Sequence, residues 1–183
     1  MNFIVFDLEA TCWETEQEKR RRKQEIIEIG ALMVDEEGET VSRFEKFVRP
    51  VAHPMLSDFC KKLTNISQID VNKAAIFPDV IEDFMDWIGL HDGEEYLLCS
   101  WGFFDRKALM KDCEQHGLDG EWAREHISLK HQYPRFKGIR MPIGLNRALE
   151  REGFEFEGAM HRGIDDAINL AKIFKKYQTQ WRY

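Results

Sequence analysis

The chain has no CxxC pair among its four cysteines, Cys12, Cys60, Cys99 and Cys113, so the usual signature of a zinc knuckle or a dithiol redox site is missing. No apolar run approaches the roughly 18–20 residues that a membrane span needs. The amino terminus, MNFIVFDLEATCWE, has no basic segment ahead of its apolar residues and soon meets Asp7 and Glu9. It does not read as a signal peptide, and a cytoplasmic location with reduced thiols is the expectation. Nor is there a surplus of positive charge: the 183 residues carry a net charge of −7. That argues against a protein that coats nucleic acid by charge. It leaves room for an enzyme whose bound metal ions supply positive charge locally. No repeat, linker or low-complexity segment interrupts the chain. A composition of 43% hydrophobic and 32% charged residues is that of an ordinary globular protein, and the length fits one domain over residues 1–183.

What is present is a succession of strands and then alternating helices and strands. Asn2–Leu8, with Phe3, Ile4, Val5 and Phe6 in a row, predicts a central strand buried on both faces. Thr15–Glu25 reads as a loop or a solvated helical turn. Ile26–Val34 and Thr40–Val48 predict a hairpin around Asp35–Gly38. Short helices are expected over Ser57–Lys62 and Ser67–Ala75, and a longer one begins near Pro78. Glu95–Ser100 is a further buried strand, followed by a helix over Asp105–His116 that stops at Gly117. Ile127–Leu129 suits a short strand and Tyr133–Pro142 an irregular basic segment. Helices over Gly144–Glu152 and Ile164–Tyr177 complete an α/β domain with a mixed sheet.

Three places carry chemistry. Asp7 and Glu9, at i and i+2 on a strand, point to one face. Two carboxylates held that close repel unless a cation lies between them, and oxygen-only ligands suit Mg²⁺ or Mn²⁺. Read alone, the pair also fits the point where a strand leaves the core. Asp105 follows a buried strand and Trp101-Gly102 at the start of a helix, where an acid also serves as a cap or dipole partner. His161 precedes the last helix, with Asp165 and Asp166 in its first turn. Asp165 suits the helix cap, which leaves Asp166 to face a metal.

Together, in this order, the three places resemble the sequence blocks of the DEDDh exonuclease superfamily. Phe6-Asp7-Leu8-Glu9-Ala10-Thr11 is similar to the first block, Asp105 in its context to the second, and His161 with Asp166 five residues on to the third. Within the superfamily the chain looks most like the Eri1-like group, KapD-like proteins included. That likeness rests on Ala10-Thr11-Cys12-Trp13-Glu14, Ile26-Ile27-Glu28-Ile29-Gly30-Ala31, the stretch Phe59–Ile66 and Gly144–Leu149.

The resemblance implies a ribonuclease-H-like fold, a mixed five-stranded sheet flanked by helices. It implies 3′→5′ removal of nucleoside 5′-monophosphates from single-stranded nucleic acid, RNA ahead of DNA; no obligate protein partner is evident in the sequence. Asp7, Glu9, Asp105 and Asp166 would hold two Mg²⁺ ions, or Mn²⁺, about 3.5–4 Å apart. His161 would be the general base, a role that suits an imidazole, whose unperturbed pKa is about 6.5. The backbone amides of Ala10 and Thr11 would meet the terminal 3′ hydroxyl, and Leu63 and Thr64 the terminal base. Trp13 and Trp101 suit either base stacking or core packing. Lys61, Lys62, Arg135, Lys137, Arg140 and the run Lys19–Lys23 are candidates for the phosphate path. Three other readings stay open: a DNA exonuclease, a regulatory binding protein on the same fold, and a nucleotide phosphatase.

Overall fold

The computed structural model describes residues 1–183. Five strands, β1 (Asn2–Ala10), β2 (Ile26–Val34), β3 (Thr40–Phe47), β4 (Tyr96–Ser100) and β5 (His126–Ser128), form one sheet in the order β3-β2-β1-β4-β5. The hairpin strands β1, β2 and β3 are antiparallel, whereas β4 runs parallel to β1, and β5 parallel to β4. As expected, the Phe3–Phe6 run takes the centre of the sheet, where both faces are covered.

Side chains alternate across a strand, and β1 divides its residues between two cores. Ile4, Phe6 and Leu8 pack under the helices α4 (Phe77–Trp87) and α5 (Phe104–Gln115). Phe3 and Val5 pack under α6 (Leu129–Lys137), α7 (Leu145–Glu152) and α8 (Gly163–Lys176). The odd-numbered face turns acidic at Asp7 and Glu9. Both carboxylates therefore lie on the α8 side of the sheet, at the end where the apolar core stops. The short helices α1 (Glu16–Arg21), α2 (Asp58–Thr64) and α3 (Gln68–Lys73) lie outside these two layers. Ser57 caps α2 by accepting from the Cys60 N–H, and Asn65 ends that helix in the left-handed conformation.

Backbone contact brings α8 onto the acidic end. Gly30 pairs with Asp7 across the β1–β2 ladder. A Cβ built on Gly30 would lie 2.1 Å from the Ile164 nitrogen, and one on Gly163 would lie 3.1 Å from the Asp7 carbonyl oxygen. Two glycines thus let the start of α8 rest directly on the two strands. Gly30→Ala is expected to lower the unfolding free energy by about 3 kcal/mol or more. Gly144→Ala, where a Cβ meets nothing within 4 Å, should change it by about 1 kcal/mol at most. Urea unfolding of both variants checks the contrast, and equal costs would refute the close-approach account.

The structure departs from expectation in three places. β1 continues through Glu9 to Ala10 because Thr11 and Glu25 extend the pairing with β2. The Thr11 N–H donates to the Glu25 carbonyl at 2.8 Å, and the Glu25 N–H donates to the Thr11 hydroxyl at 3.0 Å. Tyr133–Lys137, expected to be irregular, belongs to α6, which runs through Pro134 and stops at Gly138. Proline removes one intrahelical donor, and buried Leu129 and Tyr133 hold this short helix on the core. A 3-10 turn, Glu121–Arg124, precedes β5 and was not anticipated.

Candidate active site

A cavity of about 510 Å³ opens at the acidic end of β1, lined by Asp7, Glu9, Asp105, His161 and Asp166 together with Trp101. Four supports deliver the four acids and the histidine. Asp7 and Glu9 come from the odd face of β1, Asp105 from the first turn of α5, Asp166 from the first turn of α8, and His161 from the turn before α8. Ligand oxygens of Asp7, Glu9 and Asp166 all lie within 4.8 Å of one another. Asp105 borders the same cavity outside this tight triple, buried and in contact with Ser100 and the Leu8 amide.

Asp165 is not the cap of α8. Its carboxylate turns back beneath Gly158 and accepts from the Ala159 N–H at 2.9 Å. Asp166 instead accepts from the His161 N–H at 2.8 Å, which couples the exposed histidine to the acid cluster. His161 adopts a left-handed backbone, φ 60°, a conformation costly for a residue with a Cβ.

Crowding shapes the electrostatics. Burial, then the charges of Asp166 and Glu28, push Glu9 up to about 8. Burial raises Asp105 and Asp166 to about 6 each. Asp7 is raised well above the carboxylate range by burial and then by Asp105, Asp166 and Glu9; one edge of it opens on the cavity, but protein surrounds its carboxyl. Such a cluster of oxygens invites hard divalent cations, which favour carboxylates. Without a cation, the folded cluster keeps protons that the unfolded chain releases near pH 4. Folded-state proton uptake then exceeds unfolded uptake between about pH 4 and 8, and stability falls as pH rises through that window. The melting temperature in EDTA should therefore drop from pH 5 to pH 8. At pH 8, Mg²⁺ at a hundredfold over its Kd should raise it by about 5–10 °C. A flat EDTA profile would contradict the crowding.

The other anticipated contacts divide. Trp101 lines the cavity, with its indole N–H committed to the Ile143 carbonyl at 3.0 Å. Leu63 is exposed on a separate hollow with Phe59 and Lys62. Ala10 borders a smaller cavity beside Gln24, Phe104 and Lys107. Two expectations need correction, and Trp13 takes the core-packing alternative. Trp13 is 3% exposed, beneath the Arg22 guanidinium and against His53, so its ring has no face for a base. The Thr11 amide is committed to Glu25, as described above. Thr64 is buried, and its hydroxyl donates to the Cys60 carbonyl at 2.9 Å within α2.

Among the basic residues, Lys61 pairs with Asp58 at 2.7 Å and Lys137 with Glu152 at 3.2 Å. Lys19 and Arg22 pair with Glu16 and Glu18 within their own segment, while Lys62, Arg135 and Arg140 are exposed. Sequence reasoning missed Lys130, His131 and Phe103, which also line the main cavity. The His131 ring stacks on Phe103, 4.7 Å between centroids, and its Nδ1 is 2.7 Å from the Ser128 hydroxyl. No spacing in the sequence marks these residues.

The exonuclease family model matches residues 4–174. The chain is 33% identical to ERI1 exoribonuclease 2 of Xenopus laevis over 93% of its length, and 33% identical to the 3′-5′ exonuclease eri1 of Schizosaccharomyces pombe over 94%. It spans 27% of the frog protein and 66% of the yeast protein. Among solved structures it is similar to the nuclease domain of 3′hExo, a DEDDh family member, bound to rAMP. That likeness has a TM-score of 0.89 and 30% identity, and covers 97% of this chain and 92% of that one. With the acids and histidine of the DEDDh pattern gathered around one cavity, and the family model spanning nearly the whole length, the chain belongs to the exonuclease family, in its Eri1-like DEDDh branch.

Proposed function

We propose that this protein is a metal-dependent 3′→5′ exonuclease that removes nucleoside 5′-monophosphates from single-stranded nucleic acid, RNA in preference to DNA. The observation that carries the reading is the triple of Asp7, Glu9 and Asp166 oxygens on the cavity floor, with Asp105 and His161 at its edge. The exoribonuclease names of the relatives favour RNA. Membership of a regulatory class would give the chain no reason to hold these five groups together.

Asp7, Glu9, Asp105 and Asp166 would hold two divalent ions, Mg²⁺ with Mn²⁺ as a substitute. Ions held there would supply positive charge that favours loss of a proton from water and departure of the 3′ oxygen as an anion. His161 takes the proton of the attacking water at an imidazole nitrogen. Water oxygen bonds to phosphorus, the bond from phosphorus to the 3′ oxygen breaks, and a proton returns to that oxygen. Trp101 and Phe103 wall the cavity, and Lys130 offers positive charge to the phosphate. Leu63 and Ala10 are the remaining candidates for the terminal nucleotide. No helix is long and apolar enough to cross a membrane, and a cytoplasmic site of action is part of the proposal.

A time course on 5′-labelled RNA and DNA of one sequence, with Mg²⁺, Mn²⁺ or EDTA, tests this. A ladder shortening from the 3′ end, faster on RNA and absent in EDTA, is expected. Faster cleavage of DNA would reverse the preference. No cleavage of either strand by folded, metal-binding protein would overturn the exonuclease reading.

A further inference from the structure

The β1–β2 register sets Glu28 directly opposite Glu9. Glu28 is fully buried, within an otherwise apolar strand. Opposed like charges in an antiparallel pair repel, and a buried carboxylate persists only with partners. Glu28 has partners from one short segment 134 and 135 positions away. Arg162 donates to it from Nε at 3.2 Å and from Nη2 at 3.1 Å, and the Gly163 N–H donates at 2.9 Å.

Arg162 makes further contacts around the same guanidinium. Its guanidinium carbon lies 5.1 Å from the centre of the Phe47 ring, and Nη2 is 3.6 Å from Glu45. With carboxylates and an aromatic face around it, this cation is not presented to a substrate phosphate. What it does hold is the chain on either side. The Arg162 carbonyl accepts from the Asp166 N–H at 2.9 Å. The preceding residue, His161, stands in the left-handed conformation with its imidazole exposed. The Cα–Cβ direction of His161 is set by that backbone, and the backbone is clamped one residue later to Glu28, the third residue of β2.

We propose that Arg162, locked to Glu28, is a positioning residue that fixes the left-handed turn at His161 and so aims the imidazole at the acid cavity. The inference rests on His161 being the group that takes the proton of water. A misaligned base about 1 Å from its place loses on the order of a hundredfold in rate, with no reason for substrate affinity to change.

The test is a mutant cycle in single-turnover cleavage of 5′-labelled RNA with Mg²⁺, comparing Arg162→Met, His161→Ala and both together. Arg162→Met should lower the maximal rate roughly tenfold to a hundredfold, with half-saturating RNA and the Mg²⁺-induced melting shift unchanged. In the His161→Ala background the same change should cost less than about twofold, because one group acts through the other. Arg162→Lys, which keeps the charge but loses the two-pronged contact, should recover part of the rate and serves the same cycle if Arg162→Met does not fold. An equal loss in both backgrounds would make Arg162 merely structural and overturn the proposal. So would weaker RNA binding at an unchanged maximal rate, which is the mark of a substrate contact. A His161→Ala enzyme as fast as the parent would instead refute the reading of His161 itself.

Discussion

Asp7→Asn is expected to lower RNA cleavage by about a thousandfold or more, equivalent to about 4 kcal/mol of barrier, while raising the melting temperature of the metal-free protein. Both effects have one cause. Asp7 stands among Glu9, Asp105 and Asp166, each of which raises its carboxyl further above the ordinary range after burial has done so. Asparagine keeps the shape and is neutral in the folded and unfolded chain alike, so the empty cluster no longer loses stability by holding this carboxyl against ionisation. The same change removes a central anionic ligand and puts an amide in its place, which a hard cation disfavours. Single-turnover cleavage and melting curves in EDTA, at pH 8 where crowding is greatest, read the two effects separately. Undiminished cleavage would take Asp7 out of the mechanism. A lower melting point in EDTA would mean that its carboxylate supports the fold. Opposition between stability and activity is common where function gathers like charges.

His161→Ala should lower the maximal rate by about a hundredfold to ten-thousandfold, the usual contribution of a positioned base, and should leave the Mg²⁺-induced melting shift intact. The histidine lies at the rim of the oxygen cluster, bound to it only through its backbone N–H on Asp166. Removing the imidazole therefore takes away a proton acceptor and leaves the ligands in place. Added imidazole should restore part of the rate. His161→Gly should melt no lower than His161→Ala, because glycine accepts the left-handed backbone that alanine resists. Loss of the Mg²⁺-induced shift in His161→Ala would identify the residue as part of the metal site instead.

The sheet and the acids were legible because both follow from local pattern. An apolar run ending in Asp-Leu-Glu gives a buried strand with two carboxylates on one face, and the structure places them so. The Asp105 and Asp166 positions were legible as acids at helix starts. The roles of Thr11, Trp13 and Thr64 were not, since each depends on a partner brought by folding: Glu25 for Thr11, Arg22 and His53 for Trp13, and the turn of α2 for Thr64. Asp165 was misread because Gly158, seven residues before it, makes room for its carboxylate. The Glu28–Arg162 clamp did leave a signal in the sequence. An acid inside Ile26-Ile27-Glu28-Ile29, in a strand destined for burial, demands a cation from elsewhere. The sequence does not say which of the chain's cations answers.

The contact between Gly30 and the start of α8 bears on how the protein responds to heat and to substitution elsewhere. Main chain rests on main chain there, so the spacing of Asp166 from Asp7 is referenced to the backbone rather than to side-chain packing in either core. Substitutions that loosen the cores elsewhere should shrink the folded population without detuning the molecules that remain folded. Heat should likewise abolish catalysis by unfolding the protein rather than by spreading its acids apart beforehand. A protein so built should tolerate substitutions over much of its interior while its acids keep their gauge.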